Sequence, residues 1–188
     1  MEKLLQNADI GVIGGSGFYN LISLNNAEYI DIETPFGQPS EKFLIGNMKG
    51  RSIAFLSRHG IGHRFSPSEV NYRANLYALK LLGVKKLISV NAVGSLTEGI
   101  APTSLVIPDQ FVDHTHKRES TFFEDGIVAH VSMAEPTCSC LSKIAYETAR
   151  HVGLDVHSGG TYLNIEGPQF STRAESELYR KFQFSVIG

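Results

Sequence analysis

Apolar residues along this chain come in short runs that stop at glycine or proline, with stretches of helical period between them. Residues 9–13 (DIGVI) form one such run, ending at Gly14-Gly15-Ser16-Gly17, which predicts a buried strand followed by a tight glycine turn. Extended stretches follow near 27–32 and 42–45, and residues 53–57 (IAFLS) predict another buried strand. Turn residues such as Pro35-Phe36-Gly37 and Asn47-Met48-Lys49-Gly50 space these pieces like a meander. The first helix is predicted over 67–82. Ser66-Pro67-Ser68-Glu69 combines a capping box with proline at the first helical position, and Val70, Ala74, Tyr77, Ala78 and Leu81 recur at helical spacing before Gly83. Residues 86–90 (KLISV) predict a strand that ends in Asn91-Ala92, 104–108 another, and 114–126 a polar loop containing aromatics. A second helix is predicted over 137–152 with Thr137 as its cap, then a strand over 161–165. Thr172-Arg173-Ala174-Glu175 is a capping box opening a third helix to about Lys181, and the chain closes on the apolar segment 184–188. That last segment reads as an edge strand, or as a core strand whose covering helix is missing.

Strands and helices mixed in this order predict an α/β fold. The chain has 188 residues, and no linker, repeat or low-complexity segment divides it, so it reads as one domain. A formal net charge of −2, with basic residues only in pairs such as Lys85-Lys86, argues against a nucleic-acid binder. No run approaches 18 apolar residues and the N-terminus has neither a signal-peptide core nor an Arg-rich pattern, so a cytoplasmic protein without membrane partners is expected. The two cysteines, Cys138 and Cys140, exclude a disulfide framework and are expected to be small buried hydrophobes. The histidines lack the spacing of a metal helix, so no metal is expected.

The candidate chemistry sits at predicted strand ends. Gly14-Gly15-Ser16-Gly17 offers backbone N–H groups and a hydroxyl to an anion, although on spacing alone a plain tight turn is the simpler reading. It is neither a dinucleotide fingerprint nor a P-loop. Arg58-His59-Gly60 ends another strand, and its guanidinium fork suits phosphate oxygens. Ser16, Arg58 and Asn91-Ala92 all fall just past strand ends, where parallel α/β sheets bind ligands, which argues for one phosphate or sulfate site. Glu166 and Glu175 form a possible carboxylate pair, with Glu175 more simply the capping-box residue.

Several longer stretches go further: 10–18 (IGVIGGSGF), 33–40 (ETPFGQPS), 57–75 (SRHGIGHRFSPSEVNYRAN), 91–96 (NAVGSL), 133–136 (MAEP) and 165–176 (IEGPQFSTRAES). In this order they resemble the purine nucleoside phosphorylase family, and within it the methylthioadenosine phosphorylase branch. The resemblance implies a mixed central sheet flanked by helices and a phosphorolysis that needs inorganic phosphate as co-substrate but no cofactor. It places phosphate at Ser16, Arg58, His59, Asn91 and Ala92, with threonine common among relatives at the Asn91 position. Phe170 matches the aromatic that stacks beneath the purine, Ile187 is a further substrate-binding position, and His130 matches a histidine lining the methylthio pocket of a neighbouring subunit, which implies a homotrimer or a hexamer built from trimers. Ser171 stands where 6-oxopurine phosphorylases resemble one another in carrying glutamate, and so points to 5′-methylthioadenosine. The same resemblance would have a methionine, a threonine and later acidic residues follow Gly188. The chain thus reads as a nucleoside phosphorylase domain incomplete at its C-terminus, with no catalytic acid assigned within it and low activity expected of it alone. A 6-oxopurine or methylthioinosine phosphorylase, and an inactive phosphate- or nucleoside-binding remnant, remain the alternatives.

Overall fold

Strand β1 (Ile10–Gly14) runs parallel to β4 (Arg51–Ser57) on one side and to β5 (Lys86–Val90) on the other. The computed structural model describes residues 7–15 and 24–188, and these form two compact units. The first unit takes residues up to Asn91 together with 118–122. Its sheet is completed by β2 (Asn25–Ile30) and β3 (Phe43–Met48), in the order β2-β3-β4-β1-β5. The antiparallel ladder β2-β3-β4 is the meander expected from the turn residues, and β1 inserts beside it as a parallel strand. Phe43, Ile45, Ala54 and Leu56 from the sheet pack with Ala78, Leu79 and Leu82 of the following helix in one buried cluster. Apolar residues removed from water at that contact supply the driving force, at about 25 cal/mol per Å².

That helix, α1, spans Tyr72–Leu81 and starts later than the periodicity predicts. Ser66 and Glu69 do bond, but the Ser66 hydroxyl and N–H both donate to the Glu69 carboxylate, at 2.7 and 2.9 Å. The Glu69 N–H goes to the Ser66 carbonyl at 3.0 Å, closing a local turn. A capping box needs the hydroxyl to accept from that N–H. Asn71 therefore takes the cap, its side chain accepting from the Ala74 N–H at 3.1 Å.

The second unit holds residues 92–117 and 123–188. Its four-stranded sheet has the order β6 (Gly94–Ser95), β11 (Val186–Ile187), β10 (Thr161–Ile165), β8 (Gln110–His114). A parallel pair, β7 (Leu105–Ile107) and β9 (Val156–Ser158), stands apart from it. Helix α3 (Arg173–Lys181) begins as predicted, with Thr172 accepting from the Glu175 N–H at 3.2 Å and the Glu175 carboxylate accepting from the Thr172 N–H at 2.7 Å. Glu175 is thus the capping residue and not one of a catalytic pair. Helix α2 (Ser139–His151) is predicted two residues early at its start.

Two expectations are corrected here. Cys138 and Cys140 are exposed. Of all α2 only Ala149 is buried, so the first turn of that helix lies in solvent. The terminal segment is not an edge strand: β11 pairs parallel to β10 and antiparallel to β6, and Val186 is 2% exposed. Glycine at position 94 allows this, because a Cβ there would stand 3.2 Å from the Ile187 Cγ2. Among the described residues no helix is long and apolar enough to cross a membrane.

Candidate phosphate site

In the ladder of the first unit, Gly14 pairs with Ser57 on one side and with Val90 on the other. The next residue on each of these three parallel strands is Gly15, Arg58 and Asn91, so all three leave the sheet together at its carboxyl edge. Ser16, the fourth expected member, lies outside the described residues. Ala92 follows Asn91 along the chain and opens the second unit.

Neighbouring strands lie about 4.8 Å apart, so β4 and β5 are separated by nearly twice that distance with β1 between them. Arg58 is long enough to cross the gap. Its backbone N–H donates to the Gly14 carbonyl at 3.0 Å, which ties the residue to β1, and its Nη1 donates to the Asn91 Oδ1. Nε donates to the His59 Nε2 at 3.2 Å. Nη2 is left alongside Gly15, where an added Cβ would stand 3.6 Å away. The guanidinium is therefore held across the strand ends with one nitrogen beside Gly15, a placement suited to phosphate oxygens. Asn91 spends its carboxamide oxygen on Arg58 and keeps two amide N–H donors for an anion.

His59 is 7% exposed and its Nδ1 lies 2.9 Å from the Phe65 carbonyl oxygen. Its ring stacks on that of His63, with centroids 4.3 Å apart and planes 17° from parallel. Burial lowers its pKa from the ordinary histidine value, the bond to Phe65 opposes this, and electrostatic interaction with Arg58, His63 and Arg118 lowers it further. A histidine with a depressed folded pKa leaves the unfolded chain holding more protons in the window between that value and about 6.5. Stability should then rise with pH through that window and be lost as pH falls below about 6.5. The urea midpoint should consequently fall further between pH 7.5 and pH 5.5 in the wild type than in His59→Gln; equal falls would contradict a buried neutral ring.

The nucleoside-binding candidates fall in the second unit. Phe170 is 95% exposed, its whole ring available to stack. Ser171 lies just before the α3 cap, and its Oγ is 2.8 Å from that of Ser176. Ile187 packs partly buried against the cluster of Leu96, Leu163 and Tyr179. His130 is exposed on the irregular stretch between β8 and α2.

Glu166 is a residue whose part spacing could not reveal. It is 8% exposed at the end of β10, and its carboxylate accepts from the backbone N–H groups of His116 and Lys117, at 2.7 and 3.2 Å. The His116 Nδ1 lies 3.4 Å from the same oxygen. A buried carboxylate needs such donors, and here they pin the loop after β8 to the strand beside it. The only signal in sequence is a charged residue at the end of an apolar strand.

Over most of its length the chain is similar to proteins of known family. The model of the phosphorylase superfamily matches residues 9–188. The S-methyl-5′-thioadenosine phosphorylase of Geobacter sulfurreducens is 56% identical over 180 residues, covering 95% of this chain and 63% of that protein. The enzyme of the same name from Hyperthermus butylicus is 54% identical over 182 residues, covering 96% and 66%. Among solved structures, a methylthioadenosine phosphorylase sourced from an antarctic soil metagenomic library superposes with a TM-score of 0.90 at 53% identity, over 97% of this chain and 65% of that one. Methylthioadenosine phosphorylase from Schistosoma mansoni in complex with adenine also gives 0.90, at 36% identity, over 97% and 73%. The chain spans 58% to 68% of the length of the curated relatives compared. With a family match over nearly all its residues and a mixed α/β architecture shared with these structures, the chain belongs to the phosphorylase superfamily.

Proposed function

We propose that this chain carries the phosphate-binding part of an enzyme that phosphorolyses 5′-methylthioadenosine to adenine and 5-methylthioribose 1-phosphate. The observation that carries the reading is Arg58 at three adjacent parallel strand ends, its backbone N–H donating to the Gly14 carbonyl and its guanidinium donating to His59 and Asn91. Relatives 50–56% identical, named S-methyl-5′-thioadenosine phosphorylase, support the choice of reaction.

In this reaction a phosphate oxygen forms a bond to the anomeric carbon while the glycosidic C–N bond breaks, and the purine leaves with the bonding electrons and gains a proton. The sugar passes through a cation-like state, so a phosphate held beneath it both reacts and stabilises charge. Arg58, His59 and the Asn91 amide would orient that phosphate, joined by Ser16 and Ala92. Phe170 would stack on the purine, Ile187 would take part in binding the nucleoside, and His130 would line the methylthio pocket of an adjacent subunit in a homotrimer or hexamer. Ser171 would set the preference for a 6-aminopurine. The reading needs no metal or organic cofactor, takes nucleoside and phosphate as its partners, treats residues 1–188 as one phosphorylase domain and places the enzyme in the cytoplasm.

The test is a comparison of kcat/KM for 5′-methylthioadenosine and inosine, measured on the protein purified at its native length, since specificity is the ratio of these constants. A ratio favouring 5′-methylthioadenosine is expected. One favouring inosine would sink the assignment of Ser171 and with it the substrate.

A further inference from the structure

Ser57-Arg58-His59-Gly60 is a four-residue turn, closed by the Gly60 N–H donating to the Ser57 carbonyl at 3.0 Å. The peptide in the middle of such a turn, here the one joining Arg58 to His59, finds no partner within it. Among the described residues the His59 N–H has none elsewhere either, so it stands as a donor just past the end of β4. Gly60 also opens a second turn, closed by the His63 N–H donating to the Gly60 carbonyl at 3.1 Å. Gly60, Gly62 and His63 have φ of +71°, +78° and +56°. A histidine in the left-handed region persists only where its surroundings hold it there.

Those surroundings come from the segment that leads into β3. One oxygen of the Glu41 carboxylate accepts from the Ile61 N–H at 3.1 Å and lies 3.2 Å from the Arg64 Nη2. The same Nη2 donates to the Ser40 carbonyl at 3.2 Å. Arg64 lies against Gly60, where an added Cβ would stand 2.9 Å from its Nε. Ser40 is fixed in turn by Asn75 of α1, both residues being buried. Its N–H donates to the Asn75 Oδ1 at 2.8 Å, and its hydroxyl accepts from the Asn75 Nδ2 at 2.9 Å. A chain of contacts therefore runs from the helix through residues 40 and 41 to the second turn, and through Gly60 to the first.

We infer that Glu41, paired with Arg64, is a positioning residue for the anion: it holds the turn at Gly60–Arg64 and so fixes the aim of the His59 N–H and of Arg58 beside it. The inference rests on the phosphate reading given above. Glu41 carries the same sign of charge as the anion, so it is no ligand. Its net effect on anion binding sets two influences against each other, because its charge repels the anion while its grip on the loop orders the donors.

That opposition supplies the test, calorimetric titration of the 188-residue protein with sulfate at pH 7.5. Glu41→Gln removes a negative charge, and a pure field effect would tighten binding. Positioning predicts the reverse, a loss of about 2- to 10-fold. The double variant Glu41→Gln with Arg64→Met removes the pair with no change in net charge, and it keeps the test decisive if the single variant fails to fold. It too should lose about 2- to 10-fold, where a field effect predicts no change. In nitrogen–proton spectra the His59 amide should move on adding sulfate to the wild type and move less in either variant. Equal or tighter binding in the variants, or a full amide shift, would leave Glu41 a merely structural part and overturn the inference with the phosphate reading intact. A wild type that fails to bind sulfate would refute the phosphate reading itself, and the inference with it.

Discussion

Arg58→Ala should abolish most anion affinity while leaving the fold in place. The side chain is half-buried at the sheet edge and belongs to no apolar cluster, so its removal opens no core cavity. What disappears is the charged donor aimed at the glycine turn and the bridge between β4 and β5. A hydrogen bond to a charged group contributes about 1.5–3 kcal/mol, which corresponds to roughly 10- to 150-fold in affinity. Titration calorimetry with inorganic phosphate measures it directly. Equal binding by wild type and Arg58→Ala would show that the anion sits elsewhere.

Leu56→Ala should act in the opposite way, on stability. Leu56 is fully buried, two residues before Arg58 on the same strand, in the cluster that joins the sheet to α1. Truncation removes buried methyl groups and leaves a cavity that the rigid sheet cannot fully close, at a cost of about 2–5 kcal/mol. Against a total stability of about 5–15 kcal/mol for a typical protein, that is a large fraction. Urea denaturation should show a lower midpoint with an unchanged slope. A midpoint within error of wild type would mean that the cluster around β4 does not hold the first unit together.

The two variants probe different parts of one strand, and the strand itself was legible in the residues. An apolar run of four, Ile53 to Leu56, followed by Ser57-Arg58-His59 announces a buried strand with chemistry at its carboxyl end. The same logic located β1, β5 and β10, because a buried parallel strand carries its signal in consecutive residues. The capping box of α3 was legible for a similar reason: both of its hydrogen bonds join residues three apart. Its counterpart at Ser66 misled, since a serine hydroxyl can donate to the carboxylate as well as accept from the backbone, and Asn71 offered the helix a better start.

Other elements had no local signal. β6 is two residues long and exists because β11, more than 90 residues further on, passes beside it. β8 reads as polar and aromatic sequence with every residue exposed, and is a strand because β10 pairs with it from Gln110 to His114. The exposed first turn of α2 likewise depends on what that helix packs against, so its cysteines could not be placed from composition.

The sequence by itself determined the α/β class, the strands that carry the candidate site and the residue types offered there, because strand signals and strand ends are properties of neighbouring residues. Only the tertiary structure decided what those residues do to one another. That Gly15, Arg58 and Asn91 share one edge follows from pairing across three strands. The contact between the His59 Nδ1 and the Phe65 carbonyl depends on a loop wound around Gly60 and Gly62, and Glu166 owes its role to two N–H groups some 50 residues away. Hydrogen-bond polarity is set by the partner, and here every decisive partner is brought in by folding.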